Sequence, residues 1–577
     1  MTDMRRTLLW GVFLVSLLLL YDAWNKYTGH PSMFAPPVPR PAASAGAAPG
    51  AGAATTPGAA AAVAAATAAS APLVSEKVSV TTDLFQASFD SRGGTLVRLE
   101  LLKQHDPVQR DWKEPFLDLF HGKHEEAPVR NVVLFQQGTD HEYIAQSGLA
   151  AGGPNHLSVM KVLPGERTLK QGQDGLSLAF EAEVNGIKLL KTYTFKRGSY
   201  LIDVRHEVVN AGTAPVQPQL YVQLVHEAVQ GGGGIFSAPT AFTGPAIYTD
   251  ADKFRKIEYK EIRDKVKELP TDARSIDLSS AQEGWAAMLQ HYYASAWLHH
   301  GASQRTFYAA ELQPSEFANS RYAIGMKFPL GAIAPGASKA FDTPLYAGPE
   351  EERTLADTAP GLDLVRDYGM FTLIAKPMFW LLEQLHKLIG NWGWAIVALV
   401  VLLKAAFYWL NASAYRSMAK MKAISPKIQA LNERFKDNPQ QKQQEMMRIY
   451  REEKVNPLGG CLPIFVQMPF FIALYSVLLS SVEMRNAPWV GWIHDLSATD
   501  PYLILPLLMT ASSMIQVALG AKPPDPVQAK MMWIMPLAFS LMFFVFPAGL
   551  VLYWLTNNLL SIAQQYVINK RMGVLNT

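Results

Sequence analysis

Lys404 stands inside the apolar run "GWAIVALVVLLKAAFYWL", residues 393–410, which is long enough to cross a bilayer. An ammonium facing lipid near the midplane costs about 2.5 to 3.5 kcal/mol, so the charge calls for a hydrated cavity or for snorkelling to the headgroups. At about 1.5 Å per residue it lies ~18 Å from Trp392, in the inner half of the span. Neighbouring apolar runs offer a cavity its lining: Gln467 between Pro463 and Pro469, then Thr510, Ser512, Ser513 and Gln516, then Tyr553, Trp554, Thr556, Asn557, Asn558, Gln564 and Gln565. Such groups are costly against hydrocarbon, so a shared polar interior is expected, with Lys404 its only formal charge. Whatever chemistry that interior performs has hydrogen bonds and one positive charge to work with.

Other chemistries find little support in the sequence. His291, His299 and His300 lie close together, but no HExxH accompanies them and no companion ligands are identifiable, so no metal is expected. Neither a GxSxG nucleophile elbow nor a phosphate-cradling GxxxxGK[ST] loop occurs. Cys461, the single cysteine, excludes an internal disulfide and a CxxC redox pair. No cofactor and no enzymatic activity are expected.

Six apolar runs set the framework: 7–23, 392–410, 458–479, 502–519, 531–546 and 550–568. With 49% hydrophobic and 18% charged residues, the chain fits a membrane protein with a large soluble part. The net charge of +3 gives no global sign of nucleic-acid binding, and no DNA partner is expected. Arg5 and Arg6 precede the first run, and no small-x-small cleavage site follows it, so 1–27 is expected to be a retained signal anchor. The loop 412–457 carries ten Lys/Arg against five Asp/Glu, whereas 481–500 holds only Arg485 of that type. The positive-inside rule then places both termini, that loop and the tail 571–577 in the cytoplasm.

The long segment after the first run is thereby expected outside. Residues 28–72 form an Ala/Pro/Gly-rich flexible linker, with Arg40 the only charge from 35 to 72. From 73 to 350 alternation recurs: Tyr200, Ile202, Val204, His206 and Val208 share one face, after a turn at Lys196-Arg197-Gly198-Ser199. Breaks at Gly93-Gly94 and at 231–234, and the aromatic-rich stretch 284–297, complete the pattern of a large antiparallel sandwich. Residues 362–390 are amphipathic, with Leu381, Leu382, Leu385, Leu388 and Ile389 at helical spacing and Pro377 as the expected start. This helix is expected to lie on the outer membrane surface. Within 412–457, Ile424, Ile428, Leu431 and Phe435 form one stripe and Met446, Ile449 and Tyr450 another, with "KDNPQ" between them. The expected form is a helical hairpin with basic outer faces carrying Arg416, Lys420, Lys422, Lys427, Arg434 and Lys436, suited to anionic membrane lipids, ribosomal RNA or an acidic partner.

Four stretches are similar to those of one family: "YRSMAKM" from 415, "KVNPLGGCLPIFVQMP" from 454, "WIHDLS" from 492 and "FPAGLVLYW" from 546. They resemble the YidC/Oxa/Albino membrane protein insertases. The stretch 284–297 and "SFDSRGGTLVRLELL" from 88 resemble the outer domain of the proteobacterial form. The resemblance implies a six-span polytopic α-helical protein with a five-helix insertase core, 391–570, and a periplasmic β-supersandwich. It further implies a hydrophilic groove open to the cytoplasm and the bilayer, in the bacterial inner membrane. Lys404 matches the groove charge, where the family most often has arginine; the exchange keeps the charge and loses the rigid fork. Gln467, Tyr553 and Trp554, with Gln516 and Asn557, fall at or beside the groove by position. The implied partners are nascent integral membrane proteins, the Sec translocon and, through the hairpin, the ribosome.

Two other classes remain open at this level. A secondary transporter would use a polar cavity, although the five core spans hold no acidic residue to carry a coupling ion. A membrane-anchored periplasmic binding or sensor protein would place its activity in the outer domain.

Overall fold

The computed structural model describes residues 75–106, 130–138, 141–150, 152–228, 242–270, 274–313, 320–366, 368–435, 438–453, 462–520 and 526–573. The expected signal anchor, the linker, the break at 231–234, Lys436 and the first half of the 454–469 motif lie outside them. Contacts divide the chain into two units, which meet in sequence at Arg366 and Asp367.

The first unit is a sandwich of two antiparallel sheets. Nine strands form one sheet, in the order Lys77–Thr81, Phe85–Asp90, Thr95–Asp106, Arg130–Gln137, Glu142–Ala150, Gln219–Glu227, Arg321–Pro329, Arg305–Gln313, Ser275–Ala281. The ten-stranded sheet runs Lys253–Lys256, Gly244–Thr249, Trp285–Leu289, Tyr293–Trp297, Leu345–Pro349, Leu201–Asn210, Ile187–Lys196, Gly175–Val184, Lys161–Val162, with Ser338–Asp342 also paired to Leu201–Asn210. Alternation decides which side chains go inside: Ile202, Val204, His206, Val208 and Asn210 are buried, whereas the residues between them are not. Phe89 of one sheet meets Tyr193 of the other with ring centroids 4.6 Å apart. Two short helices, α1 (Tyr259–Lys267) and α2 (Glu352–Thr358), complete the unit.

The cationic and imidazole groups inside this sandwich illustrate how burial selects for partners. Lys191 Nζ donates to the carbonyls of Gly93 at 2.6 Å and Ser147 at 2.9 Å, and burial lowers its pKa to about 7. His206, opposite Lys191 on the neighbouring strand, bonds Ser147 Oγ at 2.9 Å. Burial, then the Lys191 charge, hold its pKa well below the ordinary 6.5. Arg305 is fully buried, and its guanidinium donates to the carbonyls of Gln282, Gly284, His299, Gly301 and Ser303, pinning the loops on either side. His299 stacks on Phe341 and bonds the Asp342 carbonyl, and His291 stacks on Tyr292. Among the described residues no three His, Cys, Asp or Glu side chains are grouped to hold a metal.

The second unit is helical: α3 (Thr372–Ile389), α4 (Trp392–Ala406), α5 (Tyr408–Arg434), α6 (Pro439–Glu452), α7 (Leu462–Ser480), α8 (Ile504–Leu519), α9 (Pro526–Phe543) and α10 (Ala548–Arg571). Pro377 lies inside α3 rather than at its start. A 3-10 turn at Gly369–Phe371 runs into the helix and sets its first turns ahead of the proline. The side of α3 that is buried carries Ala375, Met378, Phe379 and Leu382, packed with α4 and α7, whereas Leu388 and Ile389 of the expected stripe are exposed. Gly390, at φ 77°, closes α3 with its N–H on the His386 carbonyl.

Among the described residues no single helix is long and apolar enough to cross a membrane; α4 and α5 pass that test together, bent by 70° at their junction. Apolar side chains nevertheless remain exposed in stripes: Val401 and Leu402 on α4, Leu508 and Ile515 on α8, Ile534, Leu537 and Leu541 on α9. Uncovered apolar faces of this extent mark contact with lipid or a partner.

Candidate functional site

The site begins with the way α4 is seated. Asn391 Oδ1 accepts the Trp394 N–H at 3.1 Å, while Asn391 Nδ2 donates to the Pro488 and Trp489 carbonyls at 3.0 and 3.2 Å. A Cβ at Gly393 would stand 2.3 Å from Trp489, so glycine is what lets this indole close over the helix start. Ile396, Leu399 and Val400 then form the buried face of α4. Lys404, one turn beyond Val400, continues that face, away from exposed Val401 and Leu402.

Lys404 Nζ donates to Ser561 Oγ of α10 at 2.7 Å, and Ser561 Oγ donates to the Asn557 carbonyl at 2.7 Å. The expected span 392–410 breaks at Phe407, and the 70° turn into α5 swings Asn411 toward α7. There Gln467 Nε2 donates to Asn411 Oδ1 at 2.7 Å. Lys404, Asn411, Gln467, Tyr553 and Asn557 line one cavity of about 20 Å³ together with Val400, Leu403, Phe407 and Phe470. That volume has room for about one water, which a lining of donors and acceptors would hold.

Sequence reasoning named Lys404, Gln467, Tyr553 and Asn557, and the fold brings these four together. Trp554 points elsewhere: its ring meets Phe471 at 4.2 Å and Phe543 at 4.9 Å, in an aromatic cluster of α7, α9 and α10. Gln516 is half-buried on α8 and lines neither cavity beside Lys404. On the same helix, Ser512 and Ser513 accept from Asn558 Nδ2 at 3.3 and 3.0 Å, a second polar group separate from the first. Ser561 and Asn411 were missed. Both are small polar residues in helical stretches, and only the bend of α4 into α5 and the facing of α10 single them out.

Residues 408–452 form two helices joined around Asn438, whose Oδ1 accepts the Gln441 N–H at 3.2 Å, with Pro439 as the first helical residue. Ile424 and Ile428 of α5 pack against Met446, Ile449 and Tyr450 of α6. Arg416, Lys420, Lys427 and Arg434 are exposed, and Lys427 pairs with Glu453 at 2.5 Å. Lys422 is buried rather than on the outer face, because it lies one turn from Ala419 on the packed side of α5.

Two family models match: "60Kd inner membrane protein" over residues 384–574 and "YidC periplasmic domain" over residues 77–381. The chain is 50% identical to the membrane protein insertase YidC of Cupriavidus metallidurans, over 99% of this chain and 98% of that protein. It is 49% identical to the insertase YidC of Burkholderia cenocepacia strain J2315, over 99% of each. Among solved structures, an active YidC insertase with its first transmembrane domain resolved covers 86% of this chain, and the match spans 93% of its own, at 18% identity and a TM-score of 0.38. A galactose mutarotase related enzyme from Lactobacillus acidophilus covers 47%, matched over 97% of its length, at 7% identity and a TM-score of 0.28. Two family models that together run from residue 77 to 574, and relatives half identical along their full length, leave one assignment: the chain belongs to the YidC family of membrane protein insertases, inner-membrane proteins with a periplasmic β-sandwich domain and a helical C-terminal region.

Proposed function

We propose that Lys404 and the polar side chains around it form the groove through which this insertase takes the polar outer segment of a nascent membrane protein. The observation that carries the reading is the Lys404 ammonium on the buried face of α4, held by a hydroxyl and beside the Gln467–Asn411 pair. A cation turned into a small polar cavity attracts an acidic or polar segment and shortens its path across hydrocarbon. The client's apolar helix then partitions into lipid by its own burial, with no bond made or broken, in keeping with a family of insertases that are not enzymes.

The proposed topology has six spans, the first in the signal anchor, with both termini in the cytoplasm and the β-sandwich in the periplasm. Its support is the lysine and arginine bias of the loops. In this arrangement α3 lies along the outer membrane surface, presenting Leu373, Trp380 and Leu388 to lipid. The α5–α6 hairpin faces the cytoplasm, where Lys420, Lys427 and Arg434 recruit clients or the ribosome, and the Sec translocon hands over helices at the bilayer.

The test is insertion of a small precursor with a short acidic outer segment into liposomes carrying the purified protein, read by protease protection. Wild type and Lys404→Arg are expected to insert it, and Lys404→Met to fail by about ten-fold or more, the effect of losing one charge-assisted interaction. Equal insertion by Lys404→Met would remove Lys404 from the groove's working parts.

A further inference from the structure

A second and larger cavity, of about 430 Å³, opens where α10 runs beside the junction of α4 and α5. Its volume is within the range of small-molecule sites. It shares Lys404 with the polar cavity and none of that cavity's other polar residues. Along α10 its wall is Leu560, Ala563, Gln564, Val567, Ile568 and Arg571, spaced i, i+3, i+4, i+7, i+8 and i+11, which is a single helical face. Across from it, Tyr408, Ala412 and Arg416 mark successive turns of α5. Gln564 Nε2 donates to the Tyr408 carbonyl at 3.3 Å and ties the two walls.

The lining is mostly apolar yet carries three cations, Lys404, Arg416 and Arg571, and no carboxylate. Arg571 ends α10, the end at which a membrane helix meets headgroups, and Tyr566 and Val567 in the turn before it are exposed apolar residues of the kind that face hydrocarbon. Water alone does not call for an apolar wall, and an acidic peptide does not call for an opening toward lipid. An amphiphile with an anionic head matches both features. Guanidinium forks match phosphate oxygens in pairs, and each basic residue near a membrane surface adds to the attraction for anionic lipid.

We propose that this hollow seats one anionic phospholipid, with its phosphate on Arg416 and Arg571 and an acyl chain against Ala563 and Val567 of α10. The site shares Lys404 with the proposed groove and differs from it in every other lining residue. The inference goes beyond insertion and does not rest on it.

The test uses the full chain in mild detergent, offered equal amounts of phosphatidylglycerol and phosphatidylcholine, with bound lipid counted by native mass spectrometry. One phosphatidylglycerol per chain is expected in preference to phosphatidylcholine. Arg416→Gln with Arg571→Gln should weaken it about ten-fold, the paired Arg→Lys variant, which keeps the charge and loses the fork, should weaken it less, and Lys442→Gln with Lys530→Gln, which removes the same charge outside the hollow, should leave it unchanged. A further arm adds inorganic phosphate in excess: retention of the lipid is expected. Displacement would assign the hollow to free phosphate and overturn the lipid reading. So would equal binding of the two lipids, or an adduct that survives the double Gln variant, and elution as a monodisperse species checks that each variant is folded.

Discussion

Lys404 Nζ rests on Ser561 Oγ at 2.7 Å, and this one contact joins α4 to α10 at the point where two cavities meet. The partner is a neutral hydroxyl, so no neighbouring charge offsets the ammonium, as a carboxylate would. Ser561 spends its own proton on the Asn557 carbonyl, which fixes the oxygen as an acceptor for the lysine. The result is a cation held in position with its charge uncompensated, a state suited to transient attraction.

That arrangement predicts coupling between the two side chains. Ser561→Ala should lower insertion of an acidic precursor about three- to ten-fold, since a hydrogen bond to a charged group contributes about 1.5 kcal/mol or less in such settings. In the Lys404→Met background the same substitution should add almost nothing. Insertion rates from the four members of the cycle give the coupling directly, and strictly additive losses would mean that Ser561 acts on helix packing alone.

The Gln467–Asn411 bond, at 2.7 Å, joins α7 to the first turn of α5, beside the Phe407–Phe470 ring contact at 5.1 Å. Either Gln467→Leu or Asn411→Leu leaves an amide without its partner, and both together restore an apolar contact. Each single change should lower the melting temperature in detergent, with the double variant less affected than the sum and a coupling of about 0.6 to 1.7 kcal/mol, the span seen for bonds between membrane helices. Among the described residues Asn411 Nδ2 has no hydrogen-bond partner, so some loss on Gln467→Leu should be recovered by Asn411→Ala.

Much of the sandwich was legible because a strand with one buried face prints its period into the sequence. Tyr200 to Val208 alternate as expected, and the turn at 196–199 does connect two paired strands, with Phe195 opposite Ile202. The 284–297 stretch is likewise a hairpin, Trp285–Leu289 against Tyr293–Trp297. Apolar length, by contrast, reports composition and not direction. Nothing in "LLKAAFYWL" marks Phe407 as a break, so the sequence does not single out Asn411, which lies just past the expected span and, in the fold, just past a bend. Pro377 was taken as a helix start on a preference that a preceding 3-10 turn overrides. Gln516 and Trp554 have the right chemistry on the wrong faces, which a pattern of residue types does not contain.

Asp500 should matter out of proportion to its place in a loop. It is buried, and its Oδ1 accepts from Trp492 Nε1 and the Tyr502 N–H, both at 3.0 Å, while Oδ2 accepts the Leu505 N–H at 2.6 Å at the start of α8. Asp500→Ala strips three donors of their acceptor and one helix of its cap, for a loss of about 2 to 3 kcal/mol. Asp500→Asn, which keeps the shape and one carbonyl oxygen, should lose about half as much. Thermal unfolding in detergent ranks the two, and equal losses would show that charge, not geometry, is what the site needs.

The β-sandwich is predicted to weaken as pH falls below neutral. Burial lowers the pKa of His156 and of His226 to about 4, with Lys191 and Arg92 adding to the effect at His156, and His206 lies well below its ordinary 6.5. These imidazoles stay neutral in the fold while the unfolded chain takes up protons from 6.5 downward. Their contribution is therefore full above pH 6.5 and is lost progressively toward pH 4, at up to about 1.4 kcal/mol per pH unit for each group. Lys191, lowered to about 7, has the same sign in a higher window: between 7 and its ordinary 10.5 the unfolded state holds the extra proton, so stability rises with pH there as well. Hydrogen exchange of the Leu201–Asn210 amides in the full chain, corrected for intrinsic rates, is the measure. Protection should fall steadily from pH 7.5 to 5, and His206→Gln, which can still bond Ser147 Oγ, should make the decline shallower without abolishing it, because His156, His226 and His299 are lowered as well. A decline of unchanged slope in His206→Gln would mean that His206 is protonated within the fold, and that the cross-strand Lys191–His206 pair tolerates two charges.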